Sequence, residues 1–587
     1  MSPVPETLRQ YALLADGERG ALVGPRGDIA FLCAPRWHDD AVFSGLMGGR
    51  GHYVVQPVDD HSVPGGSYED GSLIWRSRWT FDARVLECRE ALAFPGDPER
   101  VVLLRRLEAP RGDARARVGM ACRAAFGSEP MELRTTDDAT FVGRTGDLHL
   151  RWTLPPGLAP VPDEDGWGME VEVRHGSHVD LVLEISAREL DDERPDPDRL
   201  WAATEQAWKD AAAPRPAPLA PRDAQHAWSV LRGLTSHTGA MVAAATTCLP
   251  EHAEKGRDYD YRYAWIRDQC FAGRAAARAG GGSILDASIA FVTERVLADR
   301  EHLLPAYTVD GQPIDRPRPI DLPGYPGTEQ LCVGNAARDQ FQLDVFGEVL
   351  QLFAAADQLG RLDGDGWKAA VAAVEAIERR HHEPDAGIWE LEPQRWAHSR
   401  LCCAGGLRAI ADRRPDDARA DDWRRLADYL VQTTSDECLH PSGRWQRHPG
   451  DARVDASLVL AATYGAVPLD DPRNIETWRA VLHDLTADDY VYRFRQDGEP
   501  LGRAEGAFLL CGFQMALACH QQGDDYGALR WFERTRAAVG PAGLFTEEYD
   551  VQQRQLRGNL PQAFVHALLL EAAHTLPAAA GQGGESV

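Results

Sequence analysis

From residue 222 onward, apolar residues recur with the period of an α-helix in a dozen successive runs, and two regularities among those runs restrict the fold more than any other feature. The runs are 222–239, 262–280, 282–298, 336–359, 365–382, 396–413, 417–437, 455–465, 471–486, 505–521, 524–539 and 560–576. The even-numbered runs are apolar nearly all round, as in DASLVLAATYGAV, GAFLLCGFQMALAC and QAFVHALLLEAA. The odd-numbered runs carry a charged face, as in WKAAVAAVEAIERRHH, DWRRLADYLVQ and ALRWFERTRAAV. Helices that are apolar on every side are buried, and helices with one polar face lie outside them. Joins from odd to even runs are long, about 13 to 37 residues, and joins from even to odd runs are short, about one to five. Six outer and six inner helices in strict alternation predict an (α/α)6 barrel with all its long loops at one end.

The first part of the chain has a different period. Met169, Val171 and Val173 alternate with Glu170, Glu172 and Arg174, a turn follows at His175-Gly176-Ser177, and the alternation resumes with Val179, Leu181, Leu183 and Ile185. That pattern predicts a hairpin with one buried face. Similar segments at 22–33, 52–57, 73–93, 101–108, 117–125 and 140–154 are separated by Gly, Pro and Asp, and together predict an antiparallel sandwich. A short helix near 198–211 and the semi-rigid stretch AAAPRPAPLAP then mark a linker. The expected division is a β-sandwich domain over 1–190, a linker over 191–221 and the barrel over 222–580.

Acidic residues outnumber basic ones by 90 to 63, and the resulting charge of −27 disfavours nucleic acid and anionic membranes as partners. A neutral or cationic small molecule fits better. The opening MSPVPETLRQYALLADGERG has no basic region followed by an apolar run, and the eleven cysteines show no metal-knuckle spacing. Reduced thiols and a cytoplasmic location are expected. No motif for a nucleotide, a flavin or a metal is present, so no cofactor is expected; the sequence sets no oligomeric state.

Three of the long odd-to-even loops carry residues that core packing does not call for: RDYDYRYAWIRDQ at 257–269, GIWE at 387–390, and GPAGLFTEEYDVQQRQLRGNLPQ at 540–562. The alternation brings Asp258, Asp260, Asp268, Glu390, Glu547 and Glu548 to one rim. The aromatic side chains of Tyr259, Tyr261, Tyr263, Trp265, Trp389, Trp396 and Tyr549 accompany them, with Arg262 and Arg267. Aromatic faces stack on sugar rings while carboxylates and guanidinium groups hold hydroxyls. Two carboxyl groups on different loops are also the minimum apparatus of glycoside hydrolysis, and in the inverting form they stand about 6.5–9.5 Å apart. Taken singly these residues have ordinary readings: a solvated loop glutamate, an Arg267–Asp268 pair capping a helix, a solvated His381-His382, structural histidines at His398 and His566. Their convergence on one rim is what points to a site.

The segments YALLADGERGALVGPRGDIAFLCAPRW, TTCLPE, YDYRYAWIRD, VGNAARDQFQLDVFGE, GIWE, VDASLVL, VYRF, EGAFLLCGF, FTEEYD and GNLPQAFVHALLL, in this order, make the chain similar to glycoside hydrolase family 15, the glucoamylase-like family. The resemblance implies an N-terminal β-supersandwich, a linker and an (α/α)6 barrel that removes glucose with inversion. It implies Glu390 as general acid and Glu547 as the base that activates water. It also implies that Arg267 and Asp268 grip the glucose in the cleaved position, with Trp389 helping to shape that pocket and Glu548 orienting the base or a hydroxyl; of the rim aromatics, Tyr263 and Trp265 are expected to bind substrate. On this reading Glu390 holds its proton through burial beside Trp389, and Glu547 stays ionised. The chain departs from the family pattern at Asp28-Ile29-Ala30-Phe31, at GYPGTEQLC before Val333, and at Asp258-Tyr259, all of which bear on the acceptor side. The implied activity is exo-acting hydrolysis of α-1,4- or α-1,6-linked glucosides, with trehalose hydrolysis as the alternative. A disaccharide phosphorylase or an inactive sugar-binding protein stands further off, since Glu547 would serve neither.

Overall fold

A computed structural model describes residues 5–577 apart from 60, 138, 164–165, 253–256 and 497–498. Between Ala12 and Ser186 the described residues form sixteen strands in antiparallel pairs, arranged as two four-stranded sheets and one eight-stranded sheet. Their inward-facing side chains belong to a single apolar core that continues into the helical part.

The expected hairpin at 167–186 is not one. Trp167–Val173 pairs with Ala114–Ala121 in a four-stranded sheet, whereas His178–Ser186 pairs with Arg100–Arg111 and Leu148–Thr153 in the eight-stranded sheet. The turn between them crosses from one sheet to the other. It is held by Gly176 N–H donating to Ala109 O at 3.1 Å and by His175 N–H donating to Asp113 Oδ1 at 2.8 Å. Alternation reveals which side of a strand is buried but not which neighbour it pairs with, and both strands have a buried face here.

A linker helix, Pro197–Asp210, starts on an Asp196 side chain that accepts from the backbone of Asp198 and Arg199. Its Trp208 stacks on Phe94 of the sandwich with centroids 4.0 Å apart. The Pro/Ala stretch that follows lies against the helical part: Leu219 N–H donates to Ala573 O, and Ala217 and Leu219 are buried.

Twelve helices follow among the described residues, besides short 3-10 turns at Arg300–His302 and Ala336–Asp339. They are α1 (Pro221–Gly233), α2 (Ile266–Arg278), α3 (Ser283–Asp299), α4 (Asp344–Gln358), α5 (Gly364–Arg380), α6 (Ala397–Arg413), α7 (Ala420–Cys438), α8 (Ala456–Val459 continuing as Leu460–Thr463), α9 (Pro472–Asp484), α10 (Leu509–Gln521), α11 (Asp525–Arg536) and α12 (Ala563–Thr575). The even-numbered helices pack each on the next, α2 on α4 and so round to α12 on α2, which closes an inner ring. Odd-numbered helices lie outside it, a plan similar to an (α/α)6 barrel.

The expected helix over 262–280 begins at Ile266, later than its periodicity suggests. Residues 257–265 are extended rather than helical, because the backbone of Tyr259, Tyr261 and Tyr263 accepts hydrogen bonds from Cys248, Ala244 and Ala243. Alternating tyrosines suit that pleated geometry better than a helix. The segment is also tied to the sandwich: Arg262 pairs with Asp260 at 2.8 Å, both side chains fully buried, and donates to Asp39 O at 2.7 Å. No helix of the described residues is long and apolar enough to cross a membrane.

Candidate active site

Five of the six odd-to-even joins line one cavity of about 410 Å³. Its wall takes Glu251 and Tyr261 from the join before α2, Asn335 from that before α4, Trp389 and Glu390 from that before α6, Arg493 and Phe508 from that before α10, and Glu547 from that before α12. The first turn of α2 supplies Arg267 and Asp268. The remaining join contributes from behind, where Asp455 Oδ1 accepts the indole N–H of Trp389 at 2.8 Å.

Glu390 sits at φ +54, a left-handed conformation uncommon for any residue but glycine. The turn that imposes it is pinned from below by Asp385, whose Oδ1 accepts from Gly387 N–H at 2.8 Å and from the Ser399 hydroxyl at 2.9 Å. Burial, helped by the neighbouring Asp344, pushes the Asp385 carboxyl up to about 8. Strain of this kind persists where the surroundings over-determine it, and it clusters at functional sites.

The expectation that Trp389 buries Glu390 does not hold. The Trp389 indole turns to Asp455, and the Glu390 side chain remains 22% exposed to the cavity. Glu390 Oε1 instead accepts the indole N–H of Trp265 at 2.7 Å and Arg267 at 3.1 Å. Arg267 also donates to Gln342 Oε1 at 2.9 Å, so its guanidinium is fixed on two sides. The buried carboxyl of Asp268, raised to about 7 by desolvation and by Glu390 against the pull of Arg267, lines the cavity beside them.

Across the cavity, Glu547 precedes a short strand, Glu548–Asp550, that pairs with Ala507–Phe508 and Gln555–Arg557. The predicted polar loop is therefore a hairpin in its central part, with Glu548 and Tyr549 buried and the tip at 552–554 exposed. Successive side chains of a strand point to opposite faces. Glu547 lines the cavity, while Glu548 is absent from its wall and accepts from Gly506 N–H at 2.7 Å. Glu548 therefore lies behind the wall, where its Oε1 stands 3.6 Å from the wall residue Arg493. Tyr263 likewise lies outside the wall, in a small apolar cluster with Ala306 and Ile314, and Trp396 and Tyr549 are not in it either. Asp258 and Asp260 reach the wall but bond to the loops behind it: Asp260 pairs with the buried Arg262, which is not in the wall, and Asp258 Oδ2 accepts the backbone N–H of Glu329 and Gln330 at 2.8 and 2.9 Å.

Glu251 and Arg493 are wall residues that the sequence does not single out, although both lie in the quoted segments TTCLPE and VYRF. Glu251 Oε1 and Glu547 Oε2 stand 3.0 and 3.2 Å from the same Tyr261 hydroxyl. Burial raises both carboxyls, and the charge of Glu251 raises Glu547 further, so the expectation of a simply ionised Glu547 gives way to a pair that keeps a proton more readily than an exposed carboxyl does. Arg493 opposes this from the wall. It is held by Glu505 at 2.7 Å and lies over the Phe508 ring at 4.5 Å. A lone arginine in VYRF carries no spacing signal that would have found it.

The cavity thus has carboxyls on opposed loops, a fixed guanidinium, and aromatic walls from Trp265, Trp389, Phe508 and Phe564. The model of the Glycosyl hydrolases family 15 matches residues 231–574, more than half of the chain. The chain belongs to glycosyl hydrolase family 15. It is a glycosidase. Among family relatives, a trehalase of Mycobacterium tuberculosis is 29% identical over 96% of this chain and 89% of its own length. A trehalase of Mycolicibacterium smegmatis is 28% identical over 96% and 90%. A trehalase of Thermoplasma acidophilum is 27% identical over 58% and 59%. Residues 4–196 match the model described as trehalase-like, N-terminal. The fold is similar to that of a bacterial glucoamylase complexed with acarbose, with a TM-score of 0.72 at 13% identity over 98% of this chain and 95% of that one.

Proposed function

We propose that this family 15 glycosidase hydrolyses α,α-trehalose to two glucose molecules with inversion at the attacked carbon, on an N-terminal supersandwich and an (α/α)6 barrel. The observation that carries the choice of substrate is that relatives named trehalase align over 96% of the chain, sandwich and barrel together. The first expectation, an oligosaccharide hydrolase of glucoamylase type, yields to its alternative on this ground.

In the proposed reaction Glu390 is the acid and Glu547 the base. With Trp265 and Arg267 both on Oε1 of Glu390, its Oε2 is left to carry the proton toward the glycosidic oxygen. Arg267 and Asp268 hold hydroxyls of the glucose being cleaved, and Trp265 and Trp389 wall its ring. Glu547 takes a proton from the water that attacks the anomeric carbon from the opposite face. The acceptor glucose lies toward Tyr259, Pro317 and Gln330, on the loops where the sequence departs from the family pattern.

The test is the ratio of kcat/KM for trehalose to those for maltose, isomaltose and maltotriose. Trehalose is expected to exceed each by at least about a hundredfold, since a site built to bond specific hydroxyls rejects analogues that misplace them by factors of this order or more. A faster reaction with maltotriose would return the assignment to the oligosaccharide reading.

A further inference from the structure

One phenol oxygen faces two buried carboxyl groups. The Tyr261 hydroxyl lies 3.0 Å from Glu251 Oε1 and 3.2 Å from Glu547 Oε2. A phenol has one proton to donate. If both carboxyls were ionised, one would receive it and the other would face a lone pair at hydrogen-bond distance, in a site where both residues are buried. One additional proton removes the conflict, because a protonated carboxyl donates to the phenol or to its partner while the phenol donates to the other.

Resting on the hydrolytic reading above, we infer that Glu251 is a positioning residue for the base: the two glutamates hold one proton between them, and Glu251 carries it while Glu547 deprotonates the attacking water. The charged and titratable groups facing the pair are Arg257, Arg493, Tyr259, Tyr261, Glu390 and Glu548. Arg257 and Arg493 are both bound to Glu505, at 2.9 and 2.7 Å, which spends part of their charge away from the pair. The net surroundings therefore do not neutralise two adjacent anions. Gly558 closes this corner: its N–H donates to Pro250 O at 2.9 Å, and a side chain there would meet Glu251 and Glu547 at 3.5 and 3.8 Å.

The proton balance closes. As the water oxygen bonds to the anomeric carbon, a water proton passes to Glu547 and the Glu390 proton passes to the departing oxygen, whose bond to that carbon breaks. The pair then holds two protons and Glu390 none. One proton leaves the pair to solvent and one returns to Glu390, restoring the starting state.

The test has two arms on the full-length enzyme. Infrared difference spectra of wild type against Glu251→Gln and against Glu547→Gln, near neutral pH and without substrate, are expected to show loss of one protonated-carboxyl band in each variant. Removal of either partner leaves the other free to ionise. Persistence of the band in either variant overturns the inference, and Glu251→Ser stands in should the glutamine variant not fold. In the second arm, the acid limb of kcat/KM is expected to move to higher pH by about one unit in Glu251→Ala, because the protonated Glu251 that donates toward ionised Glu547, directly or through Tyr261, is gone. An unmoved acid limb also overturns it. A residue with a merely structural role would lower activity without displacing the limb. The infrared arm needs no turnover, so failure of trehalose as substrate and failure of the proton-sharing pair are read separately.

Discussion

The indole N–H of Trp265 donates to Glu390 Oε1 at 2.7 Å, although the two residues lie 125 positions apart in the chain. Trp265 also stands edge-on to Tyr261, with centroids 5.5 Å apart, and Tyr261 reaches Glu547. One extended segment ahead of α2 therefore touches both proposed catalytic carboxyls and fixes where each lies relative to the other.

Removing that tie has a defined cost. Trp265→Phe keeps the aromatic wall and deletes the donor to Glu390. Glu390 becomes charged as it gives up its proton, and a hydrogen bond to a charged group is worth about 1.5–3 kcal/mol, so kcat is expected to fall about tenfold to a hundredfold with KM changed less. Steady-state kinetics on trehalose checks this.

Replacing either proposed catalytic carboxyl is more severe. Glu390→Gln and Glu547→Gln are each expected to lower turnover by at least about a hundredfold, because a positioned acid or base contributes factors of about 10²–10⁴. Circular dichroism and melting curves are expected to match wild type. Full activity in either variant would remove that residue from its role.

The extended segment depends on an ion pair with no exposed surface. Arg262→Ala leaves Asp260 buried without its 2.8 Å partner and removes the donor to Asp39 O in the sandwich. Breaking a buried pair costs about 3–5 kcal/mol, so a clear drop in thermal stability is expected, together with loss of activity through the displaced Tyr261 and Trp265. Differential scanning calorimetry reads the first and trehalose turnover the second.

Asp385 makes stability depend on pH. Its folded value, about 8, lies above the ordinary 3.8, so the native state binds a proton that the unfolded chain releases. Its contribution is complete below about 3.8 and is lost as pH rises through about 8. Asp385→Asn keeps an oxygen for Gly387 and Ser399 and has no proton to lose. The melting temperature of the variant relative to wild type is expected to rise between pH 5 and pH 9. A constant difference across that range would contradict the assignment.

The helical alternation was legible because burial on all sides leaves an unbroken apolar run, and the GIWE and TEEYD motifs were legible because carboxylates between apolar elements lack a packing reason. What escaped was set by tertiary pairing. The strands at 167–173 and 178–186 each declare a buried face but not a neighbour, and the tyrosine segment at 257–265 takes its extended form from backbone donors at 243–248. Glu548 looked equivalent to Glu547 in sequence, yet strand geometry turns it away from the cavity. Glu251 became visible only when the fold set it beside Tyr261.

The central claim is tested most directly by proton NMR of trehalose hydrolysis, following the anomeric signals from the earliest times. Inversion at one carbon of an α,α-linked disaccharide releases one β-glucose from the attacked ring and one α-glucose from the leaving ring, so the account predicts equal initial amounts of the two. Initial release of α-glucose alone would mean retention and would contradict the roles given to Glu390 and Glu547; no glucose at all would contradict the substrate.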